Sequence, residues 1–291
     1  MILQTVINMI GLGATYALLT LGIALLFGIL GLMNFAYGEI IMVGAFAMYL
    51  FKDFPWIVGV LVAVVFAVVV SVLTERLAFR PLRNADPVTL MIASFAVSLA
   101  LQSAARMTVL PRAQGVRPQQ FLTNSFSVLG MRITMLQIVT VVLCGLMLGG
   151  LAFIMQKTSL GIQLRAAAEN FIVAKTLGVN GSFVIMSAFA IAGVLAAISG
   201  VLLVARQGAV SAEMGLTPLL IGVVGAVVGG MRNLRGAAIG GFLLGVGTIF
   251  LEAILPTSLI AFRDAFLYIA VIAILVVRPQ GLLSGKKMRT S

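Results

Sequence analysis

The sequence predicts an all-α membrane protein, a polytopic bundle of eight or nine transmembrane helices that includes short or broken helices. Only 9% of the residues are charged, whereas a soluble domain carries about 25%. Hydrophobic residues make up 62% of the chain, and the mean hydropathy is +1.19. Apolar stretches recur along the whole length, so we expect residues 1–291 to form a single transmembrane domain.

Nine apolar stretches are candidate crossings, because a helix needs about 20 apolar residues to cross the hydrocarbon core. They lie at 4–28, 38–51, 56–75, 88–105, 134–156, 182–205, 214–230, 236–254 and 259–277. The second spans only about 21 Å as a helix, so it needs added residues, tilt or bilayer thinning to cross. The seventh contains Thr217 and Pro218, a pair typical of a helix start, and is either a crossing or a re-entrant half-helix.

Lys and Arg predict the orientation. With 157–181 in the cytoplasm and strict alternation, twelve of them fall inside and seven outside, a modest positive-inside bias. The N-terminus is then outside, and 106–132 is an extracytoplasmic loop with four Arg and no acid. This loop is either an ordinary solvated loop or one that docks an acidic partner. A seventh stretch that turned back would move Arg232 and Arg235 outside, so we favour nine crossings over eight.

Glycine spacing predicts close helix packing. The GxxxG pattern occurs at Gly145/Gly149, Gly225/Gly229, Gly236/Gly240 and Gly241/Gly245, and this spacing lets helix backbones approach one another. We find no convincing internal repeat in the sequence.

The sequence contains no recognisable catalytic, cofactor-binding or metal-binding set. It has no histidine, which excludes HExxH zinc sites and Ser-His-Asp triads. Its one cysteine, Cys144, cannot form a disulfide within the chain, and no pair of intramembrane carboxylates suits acid–base chemistry. We therefore expect no enzyme activity and no cofactor. The net charge of +11 is better explained by membrane orientation and anionic lipids than by nucleic acid.

The segment 157–182 is too polar to span a membrane, and its apolar residues recur with the period of one helix face. They are Leu160, Leu164, Ala168, Phe171, Ala174 and Leu177. Gly178 predicts the helix end, Asn180 and Gly181 predict a turn, and Ser182 is a candidate cap for the next span. The helix either lies on the membrane surface or docks its apolar face in a partner's groove. Because its charges form no polybasic cluster, a protein partner is slightly favoured.

Five stretches together resemble the permeases of bacterial ABC importers for branched-chain amino acids, most closely the LivH type. In chain order they are FGILGLMNFAYGEIIMVGA, ERLAFRPLRNAD, RAAAENFIVAKTLGVN, VGGMRNLRGAAIGG and VVRPQGLLSG. They follow the family order over nearly the whole chain. Two features depart from the family pattern: Tyr37 stands where a histidine is usual, and Glu169 precedes Gly178 by nine residues, unlike the older Glu-Ala-Ala-x₃-Gly loop.

The resemblance implies a type II ABC importer-like permease in the bacterial inner membrane. Such a subunit would translocate branched-chain or other small hydrophobic amino acids, and 157–181 would be its cytoplasmic coupling loop. The residues implied in ATPase coupling are Leu160, Leu164, Arg165, Ala168, Glu169, Phe171, Ala174, Leu177 and Gly178. The implied partners are a paired LivM-type permease, two ATP-binding-cassette ATPases, a periplasmic substrate-binding protein and membrane lipids. ATP hydrolysis would occur on the ATPases, in agreement with the lack of a GxxxxGK[ST] motif.

The stretch MNFAYGE, residues 33–39, holds the first carboxylate of the chain, Glu39. Gly38 predicts a helix break, and lipid cannot satisfy the backbone groups that a break frees. Asn34 and Glu39 are candidate acceptors for those N–H groups. The break is either purely structural or lines the translocation path, as discontinuous helices do in other transporters. The candidate path residues are Asn34, Phe35, Tyr37, Gly38 and Glu39.

Two other functions stay open from the sequence. The same machinery would serve urea or short amides, because path-lining residues do not identify the solute. Alternatively, the chain is a stand-alone secondary carrier or channel, and a broken-helix pair at 34–39 and 214–218 would suit a channel with two half-helices. An integral-membrane enzyme is disfavoured by the lack of an acid–base set.

Overall fold

The structure is a computed structural model that describes residues 2–83, 85–108, 112–116, 120–128, 131–231, 233–278 and 281–282. Its helices are α1 (Ile2–Leu30), α2 (Tyr37–Leu50), α3 (Trp56–Thr74), α4 (Pro87–Thr108), α5 (Gln120–Thr123), α6 (Met135–Lys157), α7 (Ser159–Glu169), α8 (Phe171–Thr176), α9 (Gly181–Gln207), α10 (Leu216–Gly229), α11 (Leu234–Ile254) and α12 (Arg263–Val277). Its strands are β1 (Gln114–Gly115), β2 (Ser125–Val128), β3 (Met131–Thr134) and β4 (Ala209–Val210). A π-helical turn, Glu75–Phe79, extends α3, and a 3₁₀ turn, Ile260–Phe262, precedes α12.

Within the described residues, seven helices are long and apolar enough to cross a membrane, and α2 and α10 are shorter apolar helices. These nine helices correspond one to one to the nine predicted stretches. The structure therefore confirms the predicted all-α polytopic membrane bundle.

Helices α1 and α9 form the centre of the bundle. Most of their residues are buried, since α1 packs against α9, α10 and α11, while α9 packs against α2 and α3. Helices α3, α4, α6 and α12 lie outside this centre and expose long apolar faces. A helix in contact with lipid has such a face, because lipid tails are as apolar as Leu.

Most of the predicted glycine contacts exist. Gly240 lies against the backbone of Gly225 and Gly229 between α10 and α11, and Gly245 of α11 lies against the Gly13 backbone of α1. The prediction is wrong for Gly145 and Gly149 of α6, because a Cβ at either position would meet nothing within 4 Å. Glycine spacing alone does not show whether a neighbouring helix is present.

The small strands mark one end of the bundle, which we call the 112–134 end. β1 pairs with β4, β2 pairs with β3, and the Arg132 N–H donates to Gln4 Oε1 over 3.1 Å. This end therefore gathers the start of α1, the end of α9 and much of the loop predicted at 106–132. Arg117 of that loop and Arg232 lie outside the described residues.

The opposite end, which we call the 159–176 end, carries α7 and α8. The end of α3 and the start of α9 also meet there, because Arg83 contacts both Glu75 and Ser182. Helix α1 thus runs from the 112–134 end towards the 159–176 end, and α9 runs the other way.

The structure contains a repeat that the sequence analysis missed. A long helix ends at a glycine with positive φ, Gly31 (φ 71°) in one case and Gly208 (φ 69°) in the other. Seven residues later another glycine, Gly38 or Gly215, stands at the start of a 14-residue helix. The units α1–α2–α3 and α9–α10–α11 therefore share one pattern in opposite directions, an arrangement found in transporters with inverted repeats.

Candidate functional site

The first turns of α2 and α10 meet inside the bundle, at a contact that we call the half-helix junction (residues 34–39 and 214–219). A Cβ added to Gly38 would lie 2.6 Å from the carbonyl oxygen of Gly215, so only glycine permits this approach. From here α2 runs towards the start of α3, where a Cβ added to Gly59 would lie 2.9 Å from Met48 Sδ, and α10 runs towards Gly236 of α11. Each 14-residue helix covers about 21 Å, so the two are half-helices that begin next to each other and run towards opposite ends of the bundle.

The break at the half-helix junction lies at 31–36, and Gly38 is already part of the first turn of α2. The prediction that Gly38 marks the break is therefore wrong by a few residues. Gly31 supplies the positive φ there, and Gly38 supplies close packing.

Hydrogen bonds in the break partly confirm the predicted capping. Asn34 Oδ1 accepts from the Ala36 N–H over 3.0 Å, as an Asx-type cap does. Glu39 caps no backbone group in the described residues; its Oε1 instead accepts from Ser98 Oγ over 3.2 Å. The Phe35 N–H donates to Ser94 Oγ over 3.2 Å. Two serines one turn apart on α4 therefore hold the break, which the sequence analysis did not foresee.

Three buried polar atoms at the half-helix junction have no hydrogen-bond partner among the described residues. They are Asn34 Nδ2, Tyr37 Oη and Glu39 Oε2. A buried polar group without a partner costs about 1–3 kcal/mol, so such groups call for an explanation. The Tyr37 phenol also lies directly against Gly22 of α1.

A large cavity of about 770 Å³ opens near the 159–176 end. Its walls are α1 from Leu21 to Ile29, α6 from Leu148 to Gln156, part of α7 and the start of α11. The walls are mostly aliphatic. The exposed polar residues among its lining are Gln156, Arg165, Glu169, Asn233 and Arg235. A volume between 300 and 1,000 Å³ is typical of a small-molecule site.

The predicted coupling helix over 160–177 is two helices. Asn170 is extended (φ −153°, ψ 102°), and its Oδ1 caps α8 by accepting from the Val173 N–H over 3.1 Å. Gly178 has φ 88° and follows α8 as predicted. The next helix, α9, is capped by Asn180, whose Oδ1 accepts from the Phe183 N–H, so the prediction of Ser182 as the cap is wrong.

The apolar residues predicted to share one helix face pack mainly against this chain's own bundle. Leu164 and Ala174 are buried, and Leu160, Ala168 and Phe171 are half-buried against the same core. Leu177 differs, with 79% of its surface exposed. Arg165 and Glu169 are exposed and line the large cavity, and Gly178 is exposed beyond α8. Helix α7 is therefore a wall of the large cavity.

A second apolar surface of α7 and α8 faces away from the bundle. It consists of Ile162, Ile172, Val173 and Leu177, which are 60%, 76%, 50% and 79% exposed, and we call it the exposed coupling face. Ile162, Ile172 and Val173 were not predicted from the sequence, because they lie outside the apolar stripe that repeats every three or four positions.

An ion pair locks the 159–176 end. Arg83 pairs with Glu75, which is fully buried, and also donates to Ser182 Oγ over 2.6 Å. The end of α3 is thereby fixed to the start of α9, directly after α8. Glu75 and Arg83 lie in the stretch ERLAFRPLRNAD, but nothing in their spacing predicted a contact with Ser182.

Comparison with known proteins identifies a family and several relatives of this chain. Residues 5–275 match the family model described as "Branched-chain amino acid transport system / permease component". The chain is similar to the high-affinity branched-chain amino acid transport system permease protein BraD of Pseudomonas aeruginosa, at 29% identity over 97% of this chain and 95% of BraD. It is similar to the corresponding permease LivH of Escherichia coli (strain K12), at 30% identity over 97% and 95% of the two chains. A probable LivH of Methanocaldococcus jannaschii is 32% identical over 94% of this chain and 90% of that protein.

The family match covers almost the entire chain, including the half-helix junction, the walls of the large cavity and both coupling helices. The chain therefore belongs to the family of branched-chain amino acid transport system permease components.

Proposed function

We propose that this chain is the membrane-spanning permease subunit of an ATP-binding-cassette importer for branched-chain or other small hydrophobic amino acids. One structural observation carries the proposal: α7 forms a wall of the large cavity and also bears part of the exposed coupling face. A subunit bound to that face can therefore act on the cavity through one short helix. The substrate class follows from the names of the relatives, BraD and LivH.

The assembly proposed around this chain contains a paired homologous permease, two ATPase subunits and a periplasmic binding protein. The 159–176 end faces the cytoplasm of the inner-membrane complex, and the 112–134 end receives the substrate from the binding protein. ATP is hydrolysed on the separate subunits, because this sequence has no phosphate-binding GxxxxGK[ST] loop.

In this proposal one ATPase subunit holds the exposed coupling face of this chain in an apolar groove, the helix-in-groove mode of recognition, and the other ATPase binds the paired permease. The residues first implied in coupling then divide into two groups. Leu177 contacts the ATPase, while Leu160, Leu164, Ala168, Phe171 and Ala174 transmit its movement to the bundle. Arg165 and Glu169 line the large cavity, so a shift of α7 changes the cytoplasmic opening for the substrate.

The half-helix junction acts on the same path through α1. Asn34, Phe35, Tyr37, Gly38 and Glu39 do not line the large cavity. Tyr37 instead packs on Gly22 of α1, while the neighbouring Leu21 and Leu25 line the cavity. A rearrangement at the junction therefore moves the cavity wall, and the unpartnered polar atoms there allow a second hydrogen-bonding arrangement.

Reconstitution tests this function. The chain is placed in liposomes with its paired permease, ATPases and binding protein, and uptake of labelled L-leucine is measured with and without ATP. We expect ATP-dependent uptake from the complete assembly and none from the isolated chain. Leucine movement through the isolated chain would instead support a channel, which the meeting half-helices favour. Uptake of urea without uptake of leucine would contradict the proposed substrate.

A further inference from the structure

A second cavity lies at the 112–134 end, between the start of α1, the start of α6 and the end of α9. We call it the small pocket. Its volume is about 180 Å³, equal to the liquid volume of about six water molecules. It therefore has room for a small solute such as an aliphatic amino acid.

The polar wall of the small pocket comes from all three helices. Asn8 and Thr15 lie on α1, Gln137 and Thr140 on α6, and Arg206 on α9. Gln137 Nε2 donates to Asn8 Oδ1 over 2.7 Å, which fixes α1 to α6 at this point. Gln137 is held in turn by a capping box with Thr134 at the start of α6.

Several of these polar groups retain hydrogen-bonding capacity. Arg206 forms no ion pair within the described part of the chain. The Thr15 and Thr140 hydroxyls donate to backbone carbonyls of their own helices, at 3.0 and 2.7 Å, and so keep acceptor lone pairs. The pocket thus offers a cation at one wall and hydroxyl oxygens at the others.

This combination matches the chemistry of a zwitterionic amino acid with an aliphatic side chain. A guanidinium binds a carboxylate strongly, often through two parallel hydrogen bonds. Hydroxyl oxygens accept hydrogen bonds from an ammonium group, and Leu12, Leu136 and Leu202 supply an aliphatic wall. Resting on the proposed function, we infer that the small pocket is the first binding site for the amino acid on entry into the permease.

The position of the small pocket supports this inference. The small pocket and the large cavity both lie between α1 and α6. Helix α1 lines the small pocket as far as Thr15 and the large cavity from Leu21 onwards. The gap of six residues is about 9 Å along the helix axis. On α6, Thr140 lines the small pocket and Leu148 lines the large cavity. Leu18 of α1 and Cys144 of α6 lie between the two spaces, and both are fully buried. A substrate in the small pocket would therefore face a closed segment that leads to the large cavity.

Thiol protection in the reconstituted complex tests the site. Cys144 is the only cysteine, so Cys144→Ala gives a background without thiols, into which Thr140→Cys is introduced. L-Leucine at ten times its dissociation constant should slow modification by a small methanethiosulfonate reagent about tenfold. L-Leucinol, which lacks the carboxylate, should protect little, and Arg206→Gln should abolish the protection by leucine. Ser125→Cys, exposed at the same end, is the control that leucine should not protect.

The outcomes separate this inference from the proposed function. Equal modification with and without leucine, or a thiol at position 140 that never reacts, overturns the site, even if the complex transports leucine. Equal protection by leucine and leucinol removes the role given to Arg206 and also overturns the zwitterion site. Protection by leucine in a complex that shows no ATP-dependent uptake would retain the site and contradict the proposed function.

Discussion

The backbones of Gly38 and Gly215 touch where two half-helices begin, and a Cβ on Gly38 would lie 2.6 Å from the Gly215 carbonyl oxygen. The same Cβ would also lie 3.1 Å from Leu219 Cβ. Neither neighbour is the free end of a flexible side chain, so a methyl group here must move a helix.

We expect Gly38→Ala to destabilise the protein by about 1–3 kcal/mol, the usual cost of overpacking a dense core. Thermal unfolding of the purified chain in detergent measures the change. The matched control is Gly145→Ala, where a Cβ meets nothing within 4 Å and removal of a helical glycine should add roughly 0.5–1 kcal/mol. Equal melting temperatures for the two variants would contradict the close junction.

Removal of the Tyr37 hydroxyl should cost little stability. Tyr37 is fully buried and its Oη has no hydrogen-bond partner among the described residues, so Tyr37→Phe removes a desolvated polar atom and keeps the ring. We expect the free energy of unfolding of Tyr37→Phe to lie between that of the wild type and a value about 1–3 kcal/mol higher. Tyr37→Ala is the comparison, with an expected loss of about 3–5 kcal/mol from the cavity it leaves. A large loss for Tyr37→Phe would reveal a partner for the hydroxyl in the assembled protein.

Replacement of the Glu39 carboxylate should slow transport without unfolding the bundle. Glu39→Gln keeps the shape and an oxygen that accepts from Ser98, so the complex should assemble normally. We expect ATP-dependent leucine uptake to fall roughly tenfold, which corresponds to about 1.4 kcal/mol. Ser98→Ala is the control that removes only the hydrogen bond. Wild-type uptake by an assembled Glu39→Gln complex would show that the carboxylate has no role in transport.

Polar substitutions on the exposed coupling face should release the ATPase subunit that binds this chain. Ile172→Ser combined with Leu177→Ser removes two side chains that are more than three-quarters exposed, and such surface changes usually alter folding stability by about 0.5 kcal/mol or less. We expect the variant chain to lose its ATPase in co-purification while it melts normally. Phe126→Ser, 55% exposed at the opposite end, should leave the complex intact. Retention of the ATPase by the double variant would place the coupling surface elsewhere.

The ion pair between Glu75 and Arg83 should show strong coupling. Glu75 is 1% exposed and Arg83 25% exposed, so Arg83→Gln leaves a buried carboxylate without its partner. The expected loss of stability is at most about 3–5 kcal/mol, and it is smaller to the extent that solvent reaches the carboxylate. Glu75→Gln with Arg83→Gln should be less destabilising than Arg83→Gln alone. A double-mutant cycle of unfolding free energies measures the difference, and simple additivity would show that the pair contributes nothing.

Hydropathy was sufficient to predict the helices, because lipid requires each crossing to be a long apolar segment with internally satisfied backbone groups. The break near Glu39 was also predictable, since a carboxylate within an apolar run needs a special environment. The exact position of the break could not be predicted, because the sequence does not distinguish Gly31 from Gly38. Only the backbone of the structure shows that Gly31 has the positive φ.

The direction in which a helix face points was harder to predict. Periodicity predicts that Leu164 and Ala174 lie on one face of the coupling segment. An apolar face that packs against its own chain has the same period as one that packs against a partner, so the pattern does not distinguish the two. Contacts between distant residues, such as Arg83 with Ser182 or Gly38 with Gly215, left no local pattern in the sequence. The small pocket was missed for the same reason, because its wall combines three segments that are far apart along the chain.

The two oppositely directed units give the molecule a simple way to reverse its access. At present the wide space adjoins the 159–176 end and the narrow one adjoins the 112–134 end. If each unit took up the conformation now held by the other, the wide and narrow mouths would trade places, as rocking between inverted repeats does in other carriers. One polypeptide geometry would then describe both halves of the transport cycle, and no helix would have to unfold between them.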